Sequence, residues 1–188
     1  MARAKSPEKR DAILEAATDE IAEVGLGAAT AKIAARAGMA SGSLFTYFPT
    51  KEDLLNELYL ALKQELYVRV NLDFPVGKSL EKRLRHVWLA YVGLAIEAPA
   101  RRKTSLQLNV SDIVTPETRA RSMLGQENLA AVSRELEERG RKRGLPKGFT
   151  AAAMLAMLET TADFAPGSKG KQAEMEERAF QVFWRMVR

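Results

Sequence analysis

The sequence predicts an all-α chain of two domains: a helix-turn-helix domain over residues 1–50 and a larger helical domain over residues 51–188. Three observations predict it. Apolar residues recur at helical spacing along the chain, and no stretch shows convincing strand alternation. Helix start and stop signals punctuate these runs. Residues 30–48 place two short helical patterns either side of a glycine turn at Gly38.

The elements follow in order. Ser6-Pro7-Glu8 is a start signal, since serine caps a helix and proline is pre-set for its first position. Ile13, Leu14, Ala17, Ile21 and Val24 then recur at helical spacing, and Gly25 stops the run. In the next short helix Ile33, Ala34 and Ala37 share a face, and in the one after it Leu44, Phe45 and Phe48 are expected to share a packed face. Thr50-Lys51-Glu52-Asp53 reads as a capping box. It opens a long connector with Leu55, Leu58, Leu62 and Leu66, the natural lever between the domains, reaching Phe74. The chain restarts at Pro75-Val76-Gly77, and Ser79 caps a helix bearing Leu84, Val87, Trp88, Tyr91 and Leu94. A short helix with Leu106 and Val110 follows. Thr115-Pro116-Glu117 opens a run from Ala120 to Leu136, interrupted by Gly125, which either kinks it or permits close packing. Two further helices span about 150–164 and 171–187, making nine in all.

The second helix of the turn carries the chemistry. Its exposed positions are small and polar: Ser41, Ser43 and Thr46. A short helix with a packed back and a thin polar front fits the DNA major groove. Arginine or lysine paired to guanine is the commonest strong base contact, and neither lies between Ser41 and Phe48. Hydroxyls bond donors or acceptors alike, and the methyls of Ala40 and Thr46 can touch thymine, so base reading is expected to be modest. Lys32 is the nearest long donor, with two roles open: a base contact, or a solvated or phosphate-bound cation.

These residues resemble the TetR family of bacterial transcriptional regulators. The resemblance covers about residues 9–58 and rests on Ile13-Leu14-x-Ala16-Ala17, Gly25, Ile33-Ala34-x-x-Ala37-Gly38, Gly42-x-Leu44-Phe45-x-Tyr47-Phe48 and Lys51-x-x-Leu54. It implies an all-helical homodimer on double-stranded DNA with an inverted-repeat operator. It also implies a C-terminal domain that dimerises and holds a small-molecule effector, and repression relieved when that effector binds. Carried over by position, Ser41, Gly42, Ser43 and Thr46 match the exposed face of the recognition helix, and Tyr47 and Lys51 match backbone-phosphate contacts. Thr30 lies in the first turn of the preceding helix, where a hydroxyl can meet a phosphate. The chain departs from the family at Ala29, Ala40 and Phe45, each of which lacks a hydroxyl the family often has; Ser41 is the candidate to take over the cap from Ala40.

Beyond about residue 75 only an architecture is inherited. Phe180, Phe183, Trp184 and Val187 make the last helix too apolar for one neighbour to cover, so they are expected at a twofold dimer interface, the alternative being packing within the chain. Trp88, Tyr91, Met123, Met154, Met157 and Phe164 suit an adaptable apolar effector pocket, and equally an ordinary core. Glu159, Thr160 and Asp163 lie on one apolar helix, so two carboxylates share a face that is either solvated or partnered by a cation, an arginine of this chain or a cationic effector, the last placing Glu159 and Asp163 in the pocket.

Composition sets the outer bounds. There are 188 residues, enough for a real core, with no cysteine and a net charge of +5. Residues 1–51 hold seven basic and six acidic side chains, a net of +1, so DNA affinity depends on where the cations stand. Arg3 and Lys5 form a short arm that reaches DNA or does nothing. No signal peptide and no membrane span is expected, and a DNA-binding role places the chain in the cytoplasm. An enzyme is not expected: His86 is the only histidine and no motif accompanies it, no phosphate-binding loop is present, and no metal or other cofactor is called for.

Overall fold

The computed structural model describes residues 6–168 and 170–188, and they form ten α-helices and one 3-10 turn, with no strand among them. The helices are α1 (Pro7–Val24), α2 (Thr30–Arg36), α3 (Ser41–Tyr47), α4 (Lys51–Asn71), α5 (Leu80–Glu97), α6 (Pro99–Asn109), α7 (Pro116–Ser122), α8 (Glu127–Lys142), α9 (Phe149–Phe164) and α10 (Gln172–Val187). The short turn Ala165–Gly167 lies between the last two. The basic arm at Arg3 and Lys5 lies outside the described residues.

The start signals are realised as local bonds. Ser6 Oγ accepts from the Lys9 N–H at 3.3 Å, and Thr115 Oγ1 accepts from the Thr118 N–H at 3.1 Å. The box at α4 closes in both directions: Asp53 N–H donates to Thr50 Oγ1 at 3.0 Å, and Thr50 N–H donates to the Asp53 carboxylate at 3.1 Å. Such a cap contributes about 1 kcal/mol. Neither α2 nor α3 has a side-chain cap, so Ser41 does not replace the hydroxyl missing at Ala40. Ser41 is itself the first helical residue, one position too late to bond the free N–H groups of the first turn.

The expected count of nine helices becomes ten because the run from Thr115 to Leu136 breaks into α7 and α8. Gly125 stands between them at φ +73°, a left-handed conformation that stops a helix and that glycine adopts without a steric penalty.

The described chain forms two compact units, Met1–Gln64 with Ala98–Ser122, and Glu65–Glu97 with Met123–Arg188. These differ from a division at residue 50. In the first unit, Leu54, Leu55, Leu58, Tyr59 and Leu62 of α4 are buried with Ile13, Ile21, Ile33, Leu44 and Phe48. Here α6 packs on α1: Thr104 Oγ1 donates to the Thr18 carbonyl at 2.8 Å, both groups being buried. Leu108 and Val114 join the same core.

The second unit is built on Trp88, which is fully buried. Its ring stacks on Phe183 at 5.6 Å and meets Phe180 edge-on at 5.9 Å. Leu84, Val92, Val132, Leu136 and Leu158 complete this core. Phe180, Phe183, Trp184 and Val187 are all buried here, so packing within the single chain already covers the apolar patch they form. α10 packs against α5, α8 and α9 together, which buries its apolar side inside the unit.

Candidate nucleic-acid interface

The turn between α2 and α3 is held from behind. Ile33 and Ala34 of α2, Leu44 of α3 and Phe48 are buried in the first core with Ile13, Ala17 and Leu58. Tyr47 is half-buried, and its hydroxyl accepts the Ser6 N–H at 3.4 Å. Arg10 lies over the Phe48 ring at 5.7 Å and donates to Glu57 at 2.6 Å. The front of α3 is open: Ser41, Gly42, Ser43 and Thr46 are exposed.

One expectation about this helix is corrected. Phe45 does not share the packed face of Leu44 and Phe48; it is 42 % exposed and takes no part in the buried core. At 100° per residue, a two-turn helix can bury 44 and 48 as an i,i+4 pair, and residue 45 then turns outward.

The cations sort into tied and untied. Arg36 donates to Glu23 at 2.8 Å and pairs with the buried Glu20 at 3.0 Å. Its charge therefore anchors α2 to α1. No ion pair among the described residues engages Lys32 or Lys51. Lys32 is exposed, Lys51 and Thr30 are half-buried, and the cations free to meet phosphate are few, as the net charge of this segment anticipates.

The eight residues considered for an effector pocket do not converge. Trp88 belongs to the aromatic core, although its indole N–H is buried with no hydrogen-bond partner. Tyr91, Met154 and Met157 pack against that core half-buried, and the Tyr91 hydroxyl donates to the Glu159 carboxylate. Met123 is exposed, with its sulfur 3.7 Å from the Tyr67 hydroxyl. Asp163 and Phe164 are exposed at the end of α9. Sequence reasoning missed an open groove of about 630 Å³ in the second unit, lined by Arg69, Leu72, Asp73, Lys82, Arg85, His86 and Leu89 among others. The signal for it was three cations spread over two helices, which no local motif connects. His86 in this groove bonds the Val70 carbonyl at 2.8 Å and meets Phe74 edge-on, a structural role. Among the described residues no group of acids and histidine could hold a metal, and no helix is long and apolar enough to cross a membrane.

A buried helical back, a glycine turn and an exposed polar front define a helix-turn-helix DNA-binding domain. Residues 13–58 match the family described as bacterial regulatory proteins, tetR family. The whole chain superposes on two solved structures. A tetR family transcription regulator from Shewanella sp. PV-4 is 26% identical with a TM-score of 0.76, covering 95% of this chain and 97% of that one. A TetR family transcription regulator from Marinobacter aquaeolei VT8 is 25% identical with a TM-score of 0.80, covering 96% and 95%. Among curated proteins, the nucleoid occlusion factor SlmA of Aliivibrio fischeri (strain MJ11) is 33% identical over 87 residues, 45% of this chain. The match spans 44% of the length of that relative. Residues 13–58 thus carry the DNA-binding domain of the tetR family, and the chain as a whole has the fold of TetR family transcription regulators.

Proposed function

We propose that this protein is a sequence-specific, DNA-binding transcriptional regulator that represses from an inverted-repeat operator and is released by a small-molecule effector. The observation that carries the reading is α3 itself, anchored by buried Leu44 and Phe48 while Ser41, Gly42, Ser43 and Thr46 face outward. In this reading those four residues enter the major groove. Tyr47, Lys51 and Thr30 bond backbone phosphates, and Lys32 contributes a phosphate or base contact. The protein works in the cytoplasm, without catalysis.

A homodimer presents two such helices to two half-sites. Its interface uses the outer faces of α9 and α10, where Leu155, Phe164, Val182 and Met186 are exposed. The effector acts at the half-buried group of Tyr91, Met154, Met157 and Glu159. Binding shifts the population toward a state that no longer fits the operator, by no more than the ligand's differential affinity for the two states.

Nuclease protection of the DNA flanking the protein's own gene tests the reading. Two protected half-sites related by a twofold are expected; protection indifferent to sequence would refute it. The second reading is a DNA-binding dimer whose C-terminal domain is a scaffold or a dock for another protein. It is favoured by the scatter of the pocket candidates, with Trp88 in the core and Met123 and Phe164 outside. Substituting Tyr91→Phe separates the two: a changed ligand dose for DNA release supports the effector, and an unchanged dose supports the scaffold.

A further inference from the structure

We propose that α3 reads thymine, through apolar contact between the exposed ring of Phe45 and the C5-methyl group, at a place where Gly42 lets the helix backbone come close to the base. The inference rests on the assignment of α3 to the major groove.

Two independent observations carry it. The first is Phe45. Its ring is 42 % exposed in the middle of a face otherwise made of serine, glycine and threonine. The core behind α3 is complete without it, since Leu44 and Phe48 fill that core. A phenyl ring has no hydrogen bond to offer a phosphate or a base edge. In the major groove the one apolar group is the thymine methyl. Ser41 and Ser43 offer hydroxyls, which do not choose between donor and acceptor, Thr46 adds one small methyl to its hydroxyl, and no arginine or lysine lies between Ser41 and Phe48. The phenyl ring is thus the largest apolar group that this helix offers to a base edge.

The second is Gly42. Its φ is not positive, and a Cβ built there would meet nothing within 4 Å. Neither conformation nor packing inside the chain calls for glycine at this position, where alanine would be the better helix former. A glycine here leaves the backbone open to close approach by something outside the chain. Gly42 stands three residues before Phe45, on the same side of the helix, and a helical side chain lies over the turn that precedes it. The ring and the bare backbone therefore lie side by side on the open face of α3.

The test uses the full chain and the duplex it selects from a random-sequence library. Each thymine of that duplex is replaced in turn by deoxyuridine, which removes the methyl and nothing else. At one thymine per half-site, binding by the unmodified protein is expected to weaken by roughly fourfold, the value of one buried methylene-sized group. Phe45→Ala is expected to bind the thymine and uracil duplexes equally, while Phe45→Leu, which keeps an apolar contact, retains the preference. Circular dichroism and melting of both variants establish that they fold. Selection of a defined motif with no uracil effect at any position overturns the thymine contact and leaves the DNA-reading assignment standing. Failure to select any motif overturns both.

Discussion

Replacing Gly42 by alanine separates folding from DNA reading more cleanly than any other change in this chain. Position 42 is helical and exposed, and the added methyl meets no protein atom within 4 Å. Alanine also restricts the unfolded chain, so the free protein should gain about 0.5–1 kcal/mol. For a chain of this size that corresponds to a melting temperature higher by roughly 1–4 °C. On DNA the same methyl stands where the bare backbone of Gly42 would otherwise approach a base edge. Forcing a methyl into a close-packed contact costs about 1–3 kcal/mol, so affinity for the selected duplex should fall by roughly 5- to 150-fold. Calorimetry of the free protein and fluorescence anisotropy with labelled duplex measure the two effects separately. A raised melting temperature with unchanged affinity would refute the close approach of α3 to the base. A lowered melting temperature would refute the account of Gly42 in the free protein.

Three further outcomes follow from the geometry. Phe183→Ala removes a ring stacked on Trp88 in a fully buried site and should cost about 3–5 kcal/mol in urea unfolding, whatever the oligomeric state. Leu155→Glu combined with Val182→Glu should convert a dimer to a folded monomer in sedimentation velocity, because both positions are exposed in the single chain; a persistent dimer would place the interface elsewhere. Burial, and then the charge of Arg119, lower the Lys63 ammonium to about 8. Unfolding therefore binds a proton between that value and the ordinary lysine range, and stability should rise with pH across this window. Lys63→Met should be more stable than the unmodified protein at pH 7, with the difference vanishing above pH ~10.5, where lysine is neutral in both states.

What the sequence made legible was local. The caps at Ser6, Thr50 and Thr115 bond groups three residues away, and the spacing of Ile13, Ala17 and Ile21 is set by the helix itself. What the sequence did not show depends on long-range packing. Nothing near Thr104 announces that its hydroxyl reaches the Thr18 carbonyl, so the placement of α6 against α1 was not readable. Phe180, Phe183, Trp184 and Val187 looked too many to hide because the number of helices around α10 is a tertiary fact. Phe45 was misplaced for a different reason. In a helix of seven residues the apolar positions 44, 45 and 48 fit a packed face with or without the middle one, and the core had room for two.

The most direct test of the central claim is fluorescence anisotropy of the full chain with DNA flanking its own gene, against a scrambled duplex, at two salt concentrations. The account predicts a clear preference for one flanking segment that persists at the higher salt, because base contacts add to the phosphate contacts. Equal binding to both duplexes, lost together as salt rises, would mean contact with the phosphate backbone alone and would contradict sequence reading by α3.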